Sequence, residues 1–487
     1  MDHHNFQKLL ELLERESCAR IASEAARAAE HTAFQKTISD LNTSFEQTIS
    51  DLNTTIGQLN KTIGTLLEEN RLLKGPKKNS GNSSVPPSKD ENRPPRTSSL
   101  RTSSGKSSGA QKGHDGHTLK MTATPDQVHH HCPSFCRCCG LKLAVTASEL
   151  TARRQVIDIP EIKPTYIEHR VYRAHCSCGH QTTGTFPVGV DAPISYGVQT
   201  TSLIAYLHTR QYISLARISE FFRSIYGIGI SQGTICGILD RFSAKALPAF
   251  ALIKTAVQGA KVIGADETGM KENGKLNWFW TWQSKNATYI TASKNRGGKT
   301  VKANFPGGFP NAVLVHDCWK SHLNTTAAGH QICTAHLLRE LLFFKQKYKC
   351  SWAAQFSEMI MMAIKLKKNI EPRHYQNPIK ERSDMEASLD SLLRKNIDSG
   401  HTEVITFQKR IIKYRNYVLT FLYHHDVPAE NNASERAIRN IKVKQKISGM
   451  FKSAKGAQNY AIIRSITDTC NKNQQNILNA FRIIAQT

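Results

Sequence analysis

The stretch between residues 260 and 317 constrains the fold most, because its order of short apolar runs and turns admits few topologies. The run AKVIGAD (260–266) is apolar and β-branched, which predicts a buried strand whose last residue, Asp266, emerges at the carboxyl end. KENGK (271–275) follows, and its Asn273-Gly274 pair is a two-residue hairpin signal because both positions tolerate positive φ. In LNWFWTWQSK (276–285), Trp278, Trp280 and Trp282 alternate with Phe279 and Thr281 at the period of a strand, and ATYITASK (287–294) extends the meander. A Gly-Gly start before KTVKANF (299–305) predicts a crossover helix, after which NAVLVHD (311–317) returns as a buried strand ending in Asp317.

Hairpin strands, crossover and returning strand are the order of an α/β, ribonuclease H-like domain, and they set Asp266 and Asp317 on strands that can lie side by side. A third carboxylate, Glu435 in NNASERAIRN (431–440), reaches that pair only if the chain between loops out as an insertion. HQICTAHLLRELLFFKQKY (330–348), WAAQFSEMIMMAIKLKK (352–368) and DMEASLDSLLRK (384–395) carry apolar residues at three- and four-residue spacing, which predicts a helical insertion over about 323–425. On a helix through 434–446, Glu435, Arg439, Lys442 and Lys446 share one face, while Ser434, Ala437, Ile438 and Ile441 centre on another. Three carboxylates suit Mg²⁺, a hard ion that prefers oxygen ligands, and two such ions can serve both the attacking and the leaving oxygen of a phosphoryl transfer. A single Asp at a strand end is ordinarily a turn or cap residue, so the weight rests on the ordered triple. Glu267, next to Asp266, points to the opposite face of the strand and is its nearest competitor.

The charge balance agrees with a polyanionic partner: 65 Lys and Arg stand against 39 Asp and Glu, a net +26. Arg436, Arg439, Lys442, Lys444 and Lys446 follow Glu435 with no acid among them, and are the candidate contacts to double-stranded DNA, with binding that weakens as salt rises. The start MDHHNFQ lacks a basic region followed by an apolar core, and no run of about 18 apolar residues is present, so the expectation is a cytoplasmic protein working on the nucleoid and not in a membrane. In that compartment twelve cysteines read as metal ligands or buried thiols before disulfides.

The rest of the chain divides by composition. Residues 1–74 are helix-prone, with TISDLN at 37–42 repeated at 48–53. Ile49, Leu52, Ile56, Leu59, Ile63, Leu66 and Leu73 fit alternating a and d heptad positions, with Asn70 at an a site, which predicts a coiled coil and a homo-oligomer; an intramolecular helical hairpin is the alternative. Gly57 and Gly64 each weaken that helix by about 1 kcal/mol. Residues 75–120, rich in Ser, Gly, Pro, Asn and basic side chains, read as a disordered basic linker. A zinc-finger-like module is expected over 121–190: Cys136 and Cys139 have C-x-x-C spacing, Cys176 and Cys178 supply a second pair, and four thiolates can close a structural Zn²⁺ site. Cys132, Cys138, His131, His175 and His180 remain alternative ligands. Residues 191–255 read as helices resembling a helix-turn-helix, with Ser231 capping QGTICGILDRF (232–242) and Gln232 and Thr234 near its start; a helical connector packed on the following domain is the alternative. The α/β domain is expected over 256–455 and a helical tail over 456–487.

ADETG (265–269), HDCWKSH (316–322), CTAHLLREL (333–341) and NNASERAIRNIKVKQKISGMF (431–451), with the linker NSSVPPSKDENRP (82–94), GAQKGHDGHTL (109–119) and the cysteine cluster, resemble the transposase family of insertion sequence 66, a bacterial group of DDE-type transposases. The resemblance implies a catalytic triad of Asp266, Asp317 and Glu435. It implies an activity too: metal-dependent cleavage at insertion-sequence ends and transfer of the 3′-hydroxyl to target DNA, with two Mg²⁺ ions, or Mn²⁺, as cofactors. Cys333 and His336 resemble a C-x-x-H element found between the second and third acids of several DDE groups, with a buried helix face and structural histidine as the plainer reading. Accessory proteins of the same element are candidate partners. A catalytically inactive DNA-binding regulator derived from a transposase is the alternative function.

Overall fold

A computed structural model of the chain describes residues 3–74, 78, 79, 82, 83, 113, 115 and 119–487. These fall into two units, the described residues of Met1–Asn92 with Leu342–Ser351, and of Arg93–Leu341 with Trp352–Thr487. In the first, α1 (His3–Lys74) is one unbroken helix of 72 residues, roughly 110 Å long at the α-helical rise. Gly57 and Gly64 lie within it without interrupting it. Its apolar heptad positions Ile49, Leu52, Ile56, Leu59, Ile63 and Leu66 are all more than half exposed. The linker expected over 75–120 falls largely outside the described residues.

The second unit begins with an exposed segment carrying the small antiparallel pair β1 (Arg173–His175) and β2 (Gln181–Thr183). Four helices follow: α2 (Val198–Thr209), α3 (Leu215–Tyr226), α4 (Gln232–Lys245) and α5 (Leu247–Gln258). Gly227 ends α3 in the left-handed conformation, and the Ser231 hydroxyl accepts the Thr234 N–H at 3.1 Å to cap α4. Their buried residues, among them Ile204, Phe222, Ile238 and Phe242, join one core with Ile263, Trp280, Trp282 and Leu314 of the sheet. Residues 191–255 thus pack as a helical layer of the sheet domain, which agrees with the connector alternative.

The sheet consists of β3 (Val262–Glu272), β4 (Lys275–Gln283) and β5 (Thr288–Ser293), then α6 (Gly298–Asn304), β6 (Phe309–His316), α7 (Lys320–Leu323) and β7 (Ala327–Ile332). Its order is β5-β4-β3-β6-β7, with β3-β4-β5 antiparallel and β6 and β7 parallel to β3. The Asn273-Gly274 hairpin forms as its sequence requires, with φ of 45° and 77°. Alternation along β4 sends Trp280 and Trp282 into one core and Phe279 into a second, with Ile441, Tyr460 and Ala461, so both faces are covered.

Two expectations are corrected here. The fifth strand, β7, occupies 327–332 where helix was expected from 330, so the helical insertion starts at Thr334 and not near 323. An edge strand of six residues held by parallel pairing to β6 has no local signature that separates it from the apolar helix that follows. The insertion then comprises α8 (Thr334–Tyr348), α9 (Ser351–Asn369), α10 (Lys380–Arg394) and α11 (Thr402–Lys413). After it come α12 (Asn432–Ser448), α13 (Ala454–Lys472) and α14 (Ile477–Gln486). The expected tail over 456–487 is instead part of the core: Tyr460, Ile463 and Phe481 are buried. Arg464 is also fully buried, bonding Asp468, the Thr209 carbonyl and the Tyr212 hydroxyl.

α12 lies so close to β3 that only glycine fits at 264: a Cβ there would stand 2.5 Å from Ser434 Oγ and 2.8 Å from Asn431 Oδ1. No helix among the described residues is long and apolar enough to cross a membrane.

Candidate active site

Asp266 stands mid-way along β3 and not at its end, which corrects the strand expected over 260–266. The physical cause lies in the pairing: parallel bonding to β6 stops at Gly264, while antiparallel bonding to β4 carries the strand on to Glu272. Asp266 therefore sits where the sheet opens beside β6, half-buried, with Oδ1 accepting the Glu267 N–H at 2.8 Å. Asp317 follows the last residue of β6, and its Oδ1 accepts the Trp319 N–H at 3.2 Å. The His316 imidazole is buried behind it, Nδ1 donating to the Asp317 carbonyl at 2.9 Å and Nε2 lying 3.0 Å from His330 Nδ1 on β7.

Glu435 comes from the first turn of α12, and one side chain fixes that turn. Asn431, 3% exposed, donates its side-chain amide to the Ala265 carbonyl at 2.8 Å and its backbone N–H to Cys333 Sγ at 3.2 Å. The start of α8 is tied in as well, by Thr334 N–H to the Ala429 carbonyl at 3.0 Å and Cys333 N–H to the His316 carbonyl at 2.8 Å. β3, β6, α8 and α12 are thus bonded together within one residue of Asp266, Asp317 and Cys333.

The three acids are close enough for their charges to act on one another. Desolvation, then the charge of Asp317, then those of Glu267 and Glu435 push the Asp266 carboxyl well above its ordinary value. The donor atoms of Asp266, Asp317 and Glu435 do not all lie within 4.8 Å of one another: Asp317 groups with Glu267 and His322, and Glu435 with Cys333 and His336.

Basic groups flank the acids unevenly. Arg339 Nη2 is 3.3 Å and His336 Nδ1 3.9 Å from Glu435 Oε1, and Arg439 Nη2 is 3.7 Å from Oε2. Glu267, the neighbour of Asp266 on β3, lies within 4.8 Å of ligand atoms of Asp317 and His322 and adds its charge to the shift at Asp266. Its carboxylate takes Arg296 Nε at 2.9 Å and His322 Nε2 at 2.8 Å. Burial would raise the Glu267 carboxyl, but the hydrogen bonds and charges of His322 and Arg296 outweigh it and hold it below its ordinary value. The Arg296 guanidinium lies between the Trp278 and Trp319 rings, 4.6 and 3.8 Å from their centroids, and so braces the loop that carries Asp317.

Of the basic positions after Glu435, Arg436, Arg439 and Lys446 are exposed. Lys442 is half-buried and donates to the Gly269 carbonyl at 2.6 Å. Lys444 is a further correction: it is 3% exposed, and donates to the Ile213 carbonyl at 3.2 Å. Burial lowers its ammonium pKa to about 8, so it braces α12 against the helical layer and does not face a ligand.

The Cys pairs form two similar loops. The Cys136 carbonyl accepts Gly140 N–H at 2.9 Å and the Cys176 carbonyl accepts Gly179 N–H at 2.9 Å, both glycines having positive φ. Hydrogen bonds within each loop, from Cys139 and Cys138 to Cys136 and from Cys178 to Cys176, hold the Cys136 and Cys176 thiols below their ordinary value. No three potential ligand atoms of residues 131–180 lie mutually within 4.8 Å, so the two pairs are formed but not gathered into a four-thiol cluster.

Residues 193–459 match the Transposase IS66 family. The chain belongs to that family. Residues 27–120 match a family of unknown function, DUF6444, which covers most of α1 and the Ser- and Pro-rich segment after it. No curated protein matches the chain. The transposase match spans the helical layer, the sheet, the insertion and α12, and so contains all three acids. Sequence reasoning passed over Asn431, Arg339, Arg296 and His322. Only Arg339 carried a local signal, three residues after His336 on the face that already holds the C-x-x-H pair.

The crowding at Asp266 yields a prediction. A carboxyl whose pKa is raised on folding holds its proton more tightly in the folded state, so the metal-free fold loses stability as pH rises through and above the ordinary carboxyl range. Asp266→Asn should therefore raise Tm in EDTA at pH 7 by about 2–4 °C, the shift of about 1 kcal/mol in a domain of this size, with the gain vanishing below about pH 4. Scanning calorimetry with excess chelator checks this, and an unchanged or lower Tm at pH 7 would contradict it.

Proposed function

We propose that this member of the transposase family cuts DNA at insertion-sequence ends and joins the freed 3′-hydroxyl to target DNA, with Asp266, Asp317 and Glu435 as its catalytic carboxylates. The observation that carries the reading is the position of these acids on β3, just after β6 and in the first turn of α12, near enough that the charges of Asp317 and Glu435 add to desolvation in raising the Asp266 carboxyl. The β5-β4-β3-β6-β7 order, antiparallel then parallel, supports a ribonuclease H-like fold for the domain. Together the acids would hold two Mg²⁺ ions, or Mn²⁺. Bound there, the ions supply Lewis-acid stabilisation to an in-line displacement at phosphorus.

The chain's own residues do the rest. Asn431 and the Gly264 contact keep Glu435 beside β3. Arg339 orients the Glu435 carboxylate, and the Arg296 clamp holds the loop after Asp317 against the sheet. A groove of about 1450 Å³ runs beside α12, and the cations on its lining, Arg210, Lys261, Lys285, Arg436, Arg439 and Lys472, outnumber its acids Asp426, Glu430 and Asp468, which suits a phosphate backbone.

Strand-cleavage and strand-transfer assays on end-containing DNA test this reading. Asp266→Asn, Asp317→Asn and Glu435→Gln should each lower the rate by at least a hundredfold while DNA binding persists. Full activity in any one removes that residue from the triad. In the same protein, Arg436→Ala and Arg439→Ala should each flatten the salt dependence of DNA affinity by about one unit of log–log slope, whereas Lys444→Met should leave the slope unchanged.

Zinc is the proposed organiser of residues 121–190. That segment leaves Val156, Ile157, Ile159, Tyr166 and Ile167 exposed, so it has little apolar core of its own and a metal would supply its folding energy. Cys136, Cys139, Cys176 and Cys178 are the proposed ligands, joined from two loops of like geometry. Purified protein should carry about one equivalent of zinc by mass spectrometry, lost in Cys136→Ser. A folded, zinc-free protein would end this reading.

Self-association through α1 is the proposed use of its exposed heptad face, since a second copy would cover the side chains from Ile49 to Leu66. Sedimentation equilibrium should give a multiple of the 54.4 kDa chain mass, reduced to one by Ile56→Lys with Leu59→Lys. A monomeric wild type would refute it.

A further inference from the structure

Two groups of three potential metal-ligating side chains occur among the described residues, and their donors differ in kind. Glu267, Asp317 and His322 form one, but both Glu267 oxygens are already engaged, by Arg296 at 2.9 Å and His322 at 2.8 Å, so side chains of the protein fill that group. Cys333, His336 and Glu435 form the other, with a sulfur, an imidazole nitrogen and a carboxylate oxygen mutually within 4.8 Å.

In the second group the arginines stand farther off, Arg339 at 3.3 Å and Arg439 at 3.7 Å from the Glu435 oxygens. Cys333 immediately precedes α8 and His336 lies three residues on, so both face the same side of its first turn, opposite Glu435 on α12. His336 Nδ1 is buried with no hydrogen-bond partner and stands 3.9 Å from Glu435 Oε1. In a tetrahedral zinc site, ligand distances of 2.0–2.3 Å separate neighbouring donor atoms by roughly 3.3–3.8 Å. Small side-chain movements therefore close the present spacing onto an ion. Burial raises the Cys333 thiol to about 11 against the N–H groups it accepts from Asn431 at 3.2 Å, His336 and Ala335, so a thiolate there needs the charge that a bound cation would supply.

We propose that Cys333, His336 and Glu435 bind a thiophilic divalent cation of the Zn²⁺ class, and that its binding withdraws Glu435 from the Asp266–Asp317 pair. The donor set separates this site from the hard-cation site beside it: sulfur and imidazole select Zn²⁺, Cd²⁺ or Co²⁺ over Mg²⁺. Arg339, 3.3 Å from Glu435 Oε1, must yield to the incoming ion, so occupancy trades one positive partner of Glu435 for another. The inhibitory half rests on the reading of Glu435 as catalytic; the binding half does not.

The experiment is equilibrium dialysis of the full-length protein against Cd²⁺, with Co²⁺ absorption in the thiolate charge-transfer region as a second readout, both in the presence of millimolar Mg²⁺. Because the cysteines of 132–178 also take such ions, the comparison is between wild type, Cys333→Ser and His336→Gln, the last leaving the buried thiol in place. Wild type is expected to bind one equivalent more than either variant. Equal uptake by all three overturns the proposal. In strand-cleavage assays, Zn²⁺ at the concentration that fills the site should lower the wild-type rate at least tenfold, and whatever activity Cys333→Ser retains should be at least tenfold less sensitive. Equal sensitivity in the two overturns the link to Glu435. A protein without cleavage activity still yields the dialysis result, so failure of the catalytic reading is told apart from failure of the site.

Discussion

The amide of Asn431 bonded to the Ala265 carbonyl is the contact on which the site depends. With Lys442 on the Gly269 carbonyl farther along, it sets the register of α12 on β3, and it is the tie at the Glu435 end of the helix. The contact is available because Gly264 presents no side chain to Ser434 and Asn431, so helix and strand approach closely enough for one buried amide to bridge them. The same residue donates to Cys333 Sγ, which fixes the start of α8, and with it Arg339 and His336, around Glu435. A cluster of like charges is held against its own repulsion by hydrogen bonds that carry no net charge.

Charge on the two faces of β3 is handled differently, and that difference separates the roles of Asp266 and Glu267. On one side, burial and the charges of Asp317, Glu267 and Glu435 raise the Asp266 carboxyl, and nearby cations address Glu435 and not Asp266. On the other, Arg296 and His322 satisfy Glu267 completely and hold it ionised. A carboxylate already paired on both oxygens serves to position the loop after Asp317; one left crowded is suited to receive an external cation.

Most of the sheet was readable from short-range pattern. The Asn273-Gly274 turn, the Trp alternation of β4 and the crossover at α6 each follow from steric rules acting within a few residues, and each stands where those rules predict. β7 was not readable, because its six residues are a strand only by virtue of pairing with β6. The helical layer of 198–258 and the helices after 454 look like separate modules in sequence, since amphipathic spacing says which face is apolar but not what covers it.

By itself, the amino-acid sequence determined the order of the central strands, the identity of three candidate acids, the basic character of the segment after Glu435 and, through its motifs, the family to which the chain belongs. Only the tertiary structure decided which groups meet. It set Asp266 in mid-strand, because β6 stops pairing with β3 two residues earlier while β4 continues. It took Lys444 out of the candidate DNA contacts, because the helical layer closes over that side of α12. It also joined Cys333 and His336 to Glu435, which local spacing cannot do: proximity across nearly a hundred residues is fixed by buried hydrogen bonds and close packing, and those exist only once the chain has folded.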